Sequence, residues 1–169
     1  MSAAIVRSKP SRLVPLVIAG AALLSVGIAL YGQHRLGMRP CPWCILQRAI
    51  FLVIAVVALV TALAPWRHVR MALNILTVAL ATGGVIAAIY QHEVAAKSYS
   101  CNLTFADKLI TALGLESAWP WMFQVTAACS EAADDLFGVP FEFWSLALFA
   151  AIALAAASLV LRAVRVETP

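Results

Sequence analysis

Four uninterrupted apolar runs decide what this chain can fold into. Leu13 to Tyr31, Met71 to Tyr90 and Phe143 to Leu161 contain no charged residue, and Ile45 to Ala64 contains a single one, Arg48. Each run is roughly 20 residues, which as a helix spans about 30 Å, the thickness of a bilayer's hydrocarbon core. Lipid offers no hydrogen bonds to a bare backbone, so runs of this kind must satisfy their own amides as helices. The composition agrees: 63% of the 169 residues are hydrophobic and only 12% are charged, about half the charged fraction of an ordinary soluble domain. The expected architecture is an all-α integral membrane four-helix bundle in one domain over residues 1–169, with connecting loops at 32–44 and 91–142. The first run follows Arg7, Lys9 and Arg12 in the manner of a signal peptide, but its length and the three spans behind it favour a retained helix. The Gly83–Gly84 pair in the third run, unfavourable in a soluble helix, suits close helix approach in a membrane.

Lys and Arg orient the spans. Arg7, Lys9 and Arg12 precede the first span, Arg67 and Arg70 lie in the short turn after the second, and Arg162 and Arg165 follow the fourth. In a four-span chain these three segments share one side, which the positive-inside rule makes cytoplasmic. The opposite face carries Arg35, Arg39, Lys97 and Lys108, spread over much longer connections. A net charge of +4 is explained by this topology without a nucleic-acid partner.

All four cysteines then fall on the extracytoplasmic side, where disulfides form and persist. Cys41 and Cys44 stand in the first loop, Cys101 and Cys129 in the long second one. That long loop is expected to lie along the membrane surface. It carries a short helix from Thr104 to Leu115, with Phe105, Leu109 and Leu113 at helical spacing, followed by the aromatic stretch Trp119-Pro-Trp-Met-Phe123.

Cys41-Pro-Trp-Cys44 is the strongest chemical signal. A thiolate is the reactive form of cysteine, and a helix N-terminus stabilises it; Cys44 is expected just ahead of the second helix. Two cysteines three apart can also bind zinc, but no second close pair and no neighbouring histidine complete a tetrahedral set, and no metal is expected. A c-type haem site would need histidine directly after Cys44, where Ile45 stands. Redox-active cysteines and two inert structural bridges both remain open on the cysteines alone. Arg48 lies one helical turn beyond Cys44 on the same face. It is either a snorkelling residue or a functional charge able to stabilise a thiolate and donate to a carbonyl oxygen at the membrane boundary. The chain shows no glycine-rich nucleotide motif and no haem ligation pattern, which leaves a lipid-soluble electron acceptor such as a quinone.

From Cys41-Pro-Trp-Cys-Ile-Leu-Gln-Arg48, through Tyr90-Gln-His92 after the third span, to the two separated loop cysteines, the sequence resembles the DsbB family of bacterial inner-membrane disulfide bond formation proteins, over nearly its whole length. The resemblance implies a quinone-dependent oxidoreductase with cytoplasmic termini and periplasmic cysteines. Cys101 would form the mixed disulfide with a reduced, thioredoxin-like DsbA partner, Cys129 would exchange with Cys41, and Cys44, assisted by Arg48, would pass electrons to ubiquinone or menaquinone. His92 matches a position near the quinone, though histidine also suits a helix end at the interface. Trp43 and Gln47 stand where the family varies. A bracing scaffold and a thiol–quinone enzyme running in the reductive direction are the competing readings.

Overall fold

The computed structural model describes residues 12–95, 104–131, 135–136 and 138–165; Cys101 lies outside them. Four long helices dominate: α1 (Leu13–Arg35), α2 (Pro42–Leu63), α3 (Arg67–Tyr90) and α7 (Phe141–Arg165). Each is long and apolar enough to cross a membrane, and each runs past its apolar run at one or both ends. Between α3 and α7 come a five-residue π-helical turn (Gln91–Ala95) and three short helices, α4 (Phe105–Ala112), α5 (Leu115–Ala118) and α6 (Pro120–Phe123). A two-residue antiparallel ladder, β1 (Asp135–Leu136) with β2 (Val139–Pro140), leads into α7.

The helices pack in two pairs, α1 on α2 and α3 on α7, joined by α2 against α3. Their shared interior is apolar and close-set. Ala19, Ala22, Ala55, Ala58, Ala81 and Ala156 are buried between the larger Ile18, Val26, Ile54 and Ile152. Phe51 and Phe149 stack at its centre, ring centroids 3.9 Å apart and almost parallel. Gly84 makes this possible: a Cβ there would stand 2.5 Å from the Phe149 ring. In lipid no water-driven force pulls helices together, so small residues that permit such approach hold the bundle. The large apolar side chains left on the outside, Leu13, Val56, Leu63, Ile86 and Leu154 among them, suit contact with acyl chains.

The basic ends meet at one pole. Arg67, opening α3, donates from Nη2 to the carbonyl of Ala163 near the end of α7. At the other pole α4 begins with a capping box: Thr104 accepts from the Asp107 amide while the Asp107 carboxylate accepts from the Thr104 amide. The helix ends earlier than the expected Leu115 because Gly114 turns the chain with φ +62°. Its inner face is Ala106 and Ile110, buried on the head of α2, whereas Phe105 and Leu113 point outward.

Candidate functional site

The head of α2 sets the cysteine geometry. Pro42 occupies the first helical position, where its missing N–H costs nothing and its fixed φ fits the helix. The preceding residue, Cys41, is therefore the N-cap, with extended backbone (φ −88°, ψ 168°) and its sulfur accepting from the Cys44 amide at 3.4 Å. Cys44 does not stand ahead of the helix, as the sequence suggests, but in its first turn. Capping folds the Cys-x-x-Cys back on itself and leaves the two sulfurs 3.2 Å apart. Both sit at the positive end of the α2 macrodipole.

Cys41 is fully buried. It lies under the Cys129 segment, which Thr126 pins by donating its amide to the carbonyl of Pro40 at 3.1 Å. Cys129 packs against the same cluster. A hydrogen bond with the Cys129 side chain, then one with Cys44, then burial, holds the Cys41 thiol well above the ordinary thiol range. Two cysteines 88 residues apart in sequence (129 − 41) are thus brought into one packed cluster.

Cys44 faces elsewhere. It lines a cavity of about 270 Å³ between the upper parts of α1, α2 and α7, together with Arg48, Gln47, Gln91 and Glu142. Most of the remaining wall is apolar, including Val26, Ile28, Ala29, Phe51 and Leu148. The Gln91 side-chain amide donates to the Cys44 sulfur at 3.3 Å, and its oxygen accepts from Gln47 Nε2 at 2.8 Å. That second bond fixes which end of the Gln91 amide meets the sulfur, because the oxygen is already engaged. Gln47 and Gln91 are both buried.

Arg48 is only 4% exposed. Its Nη1 donates to Gln33 Oε1 of α1 at 2.9 Å and to the carbonyl of Met122 in α6. Its Nε–H is buried without a partner among the described residues. A snorkelling arginine would put its head in water; this one is held inside by α1 and α6 and keeps a donor in reserve. The aromatic stretch expected at the interface does more than anchor. Trp119 and Trp121 are exposed, but Phe123 is buried, and the backbone of Trp121 and Met122 accepts from His34 and Arg48. Trp43, between the cysteines, packs on Tyr90 with ring centroids 4.7 Å apart.

His92 lies in the π-helical turn, outside the main cavity. Its Nδ1 donates to Glu142 Oε1 at 2.9 Å, and its ring leans on Phe143. Of the candidate residues, then, the structure brings together Cys41, Cys44 and Cys129, sets Arg48 in the cavity with Cys44, and connects His92 to that cavity only through Glu142. Gln33 and Glu142 carry no sequence signal beyond a polar side chain at the edge of an apolar run, which fits any residue at a helix end; Gln91 stands in the sequence only as the middle residue of Tyr90-Gln-His92, with no role attached.

The residues present fit a quinone headgroup. A flat ring suits the apolar walls, and the orphaned Arg48 Nε–H is a donor waiting for a carbonyl oxygen.

Comparison with known proteins gives one consistent result. The family profile described as Disulfide bond formation protein DsbB matches residues 11–159. Disulfide bond formation protein B 1 of Pseudomonas putida is 38% identical over 136 residues, covering 79% of this chain and 81% of that protein. Disulfide bond formation protein B of a Polaromonas species is 35% identical over 164 residues, covering 92% and 94%. Its namesake in Herminiimonas arsenicoxydans is 30% identical over 146 residues, covering 86% and 92%.

Proposed function

Because this chain belongs to the DsbB family of disulfide bond formation proteins, we propose that its membrane disulfide oxidoreductase chemistry runs from a periplasmic, DsbA-like thiol oxidase to a membrane quinone. One observation carries the reading: the two sulfurs of a single Cys-x-x-Cys serve different environments. Cys41 is packed under a loop cysteine, and Cys44 opens on an apolar cavity that holds an unsatisfied arginine donor.

The chain's own residues divide the work. A thiolate of the reduced partner attacks the Cys101–Cys129 disulfide at Cys101, forming a mixed disulfide and freeing Cys129. A second partner thiolate resolves that mixed disulfide, so the partner leaves oxidised. Cys129, held beside Cys41, attacks the Cys41–Cys44 disulfide at Cys41 and frees the Cys44 sulfur as a thiolate. The Gln91 amide and the first-turn amides of α2 stabilise charge on that sulfur. Cys101 then recaptures Cys129, which restores the loop disulfide and leaves Cys41 and Cys44 reduced. A bound quinone would supply a two-electron, two-proton acceptor for the Cys41–Cys44 thiols. Arg48 would hold its oxygen, and the apolar walls would exclude water. The division follows from solubility: a soluble thiol protein does not enter the bilayer and a quinone tail does not leave it, so one cysteine pair must face each. We place the protein in the bacterial inner membrane with both termini cytoplasmic, since the Arg67–Ala163 contact gathers the basic ends at the pole away from the cysteines.

The test is turnover of purified protein with a reduced thioredoxin-like partner and a short-chain ubiquinone. The wild type oxidises the partner at the expense of quinone, and Cys44→Ser does not. Full turnover in Cys44→Ser overturns the assignment, and net electron flow from a quinol to the partner's disulfide reverses its direction.

A further inference from the structure

Glu142 is the one carboxylate among the described residues lining the Cys44 cavity, and it also lines a second, smaller cavity of about 130 Å³ with His92, Glu93 and Phe143. Its side chain is 10% exposed, while that of His92, 2.9 Å away, is 35% exposed. A buried carboxylate at a membrane boundary is costly unless something stabilises it. Here the His92 ring N–H and the N-terminal end of α7, whose first turn contains Glu142, both do so.

We propose that Glu142 and His92 form a proton relay that links the Cys44 cavity to the outer surface, with Glu142 as the inner proton-transfer group. The inference rests on the quinone reading above. Forming the Cys41–Cys44 bond from the Cys41 thiol and the Cys44 thiolate breaks one S–H bond and releases two electrons and one proton; the quinone takes up the two electrons and ends with both oxygens protonated. The Cys44 thiolate brings no proton, and Cys41 does not line the cavity. Of the other groups lining the cavity, Arg39 and Arg48 keep their protons at any accessible pH. Ser25, Ser145, Trp144, Gln33, Gln47 and Gln91 do not titrate in the accessible range. Glu142 is left as the donor to the quinone oxygens, and His92 refills it from outside after each transfer as the proton set free at Cys41 leaves to solvent. The charged and titratable groups facing the pair are Cys44 and Arg48 from α2, Arg39 from the loop before it and Glu93 from the π-helical turn. Phe143 fixes the His92 ring plane, with centroids 4.7 Å apart.

The experiment uses full-length protein in detergent, reduced beforehand and mixed once with a short-chain ubiquinone across a range of pH. Glu142→Gln, which keeps shape and removes the exchangeable proton, should slow quinone reduction about 100-fold, within the usual range for general acid catalysis. Acetate added to the buffer should restore part of the rate in Glu142→Gln and leave the wild type unchanged, and Glu142→Asp should retain more rate than Glu142→Gln. Independently of activity, the His92 ring N–H, hydrogen-bonded to the Glu142 carboxylate, should resonate further downfield in quinone-free wild type than in Glu142→Gln. His92→Gln should slow the reaction and alter its pH profile while leaving Cys44 alkylation intact. An unchanged rate and pH profile in Glu142→Gln overturns the relay. So does a slow Glu142→Gln that acetate does not rescue and whose His92 ring N–H resonance is unmoved, since that marks a merely structural carboxylate. If the wild type reduces no quinone, the parent reading falls and takes the relay with it; if the wild type reduces quinone and only the relay results fail, the parent reading stands.

Discussion

The two ends of the bundle are built on opposite principles. Toward the basic pole, α1, α2 and α7 meet through small and aliphatic residues such as Ile18, Ala58 and Ala156, and the buried polar groups there include Asn74 and the hydroxyls of Thr61 and Thr77, the hydroxyls bonded back to their own helices; Gly84 and the stacked phenylalanine pair stand between the two ends. Toward the cysteine pole the same helices bury Gln47, Arg48, Gln91 and Glu142, all bonded between elements distant in sequence. The first end could be repacked with other apolar residues of matching volume. The second could not, because its buried carboxylate and amides are held by other groups while two donors, the Trp43 indole N–H and Arg48 Nε–H, are left over among the described residues. Stability resides in the first end and chemistry in the second, on the same four helices.

This contrast can be broken or sharpened by substitution. The largest effect expected is at Arg48. Arg48→Met keeps much of the volume and removes the charge-assisted donor, worth about 2–3 kcal/mol, so the KM for quinone should rise about 30- to 150-fold at tenfold per 1.4 kcal/mol. The partner-exchange step, followed by mixed-disulfide trapping, should be unaffected. Next comes Gly84→Ala, which drives a methyl into the Phe149 ring and should lower stability by about 1–3 kcal/mol. Thermal unfolding in detergent measures the loss, and the folded fraction should keep its quinone KM. If Gly84→Ala changed KM as strongly as Arg48→Met, the separation of the two ends would be wrong. Gln91→Leu removes one hydrogen bond to the Cys44 sulfur, worth about 1 kcal/mol. Alkylation of Cys44 in the reduced protein should slow about fivefold, by the same tenfold-per-1.4 kcal/mol conversion. The smallest effect is one of pH. The Cys129 side chain raises the proton affinity of Cys41, so Cys41 keeps its proton to higher pH than a free thiol does. Cys129→Ala should move the onset of Cys41 alkylation to lower pH, and a shift upward would contradict the contact.

Much of the first end was legible in the sequence. A run of about 20 apolar residues has one outcome in lipid, and basic residues between such runs report sidedness. The local part of the second end was legible too, because Cys41, Cys44 and Arg48 lie within two helical turns and their relation follows from helix geometry. What sequence did not reveal is what long-range packing creates. Gln91 meets Cys44 only because α3 passes α2 at that height, and Glu142 meets His92 only because the last span returns beside the π-helical turn. The surface helix shows a different gap. Its apolar Phe105 and Leu113 point away from the protein while the small Ala106 and Ile110 pack on α2. Hydrophobic spacing identifies a helix but does not say which side is inside when the solvent is itself apolar. Cys101 lies outside the described residues, and its role in the exchange rests on family resemblance and chemistry.

The central claim is that electrons leave the thiols at Cys44 and enter a quinone held in its cavity. Its most direct test is a single-turnover reaction of the fully reduced Cys101→Ser, Cys129→Ser double variant, whose loop cannot draw off the new disulfide, with a short-chain ubiquinone, without oxygen or any other oxidant, with the disulfides mapped by mass spectrometry as quinone absorbance falls. The account predicts that a Cys41–Cys44 disulfide forms in step with quinone loss, one for one. Quinone loss with Cys44 still a free thiol, or a Cys41–Cys44 bond forming with the quinone untouched, would contradict it.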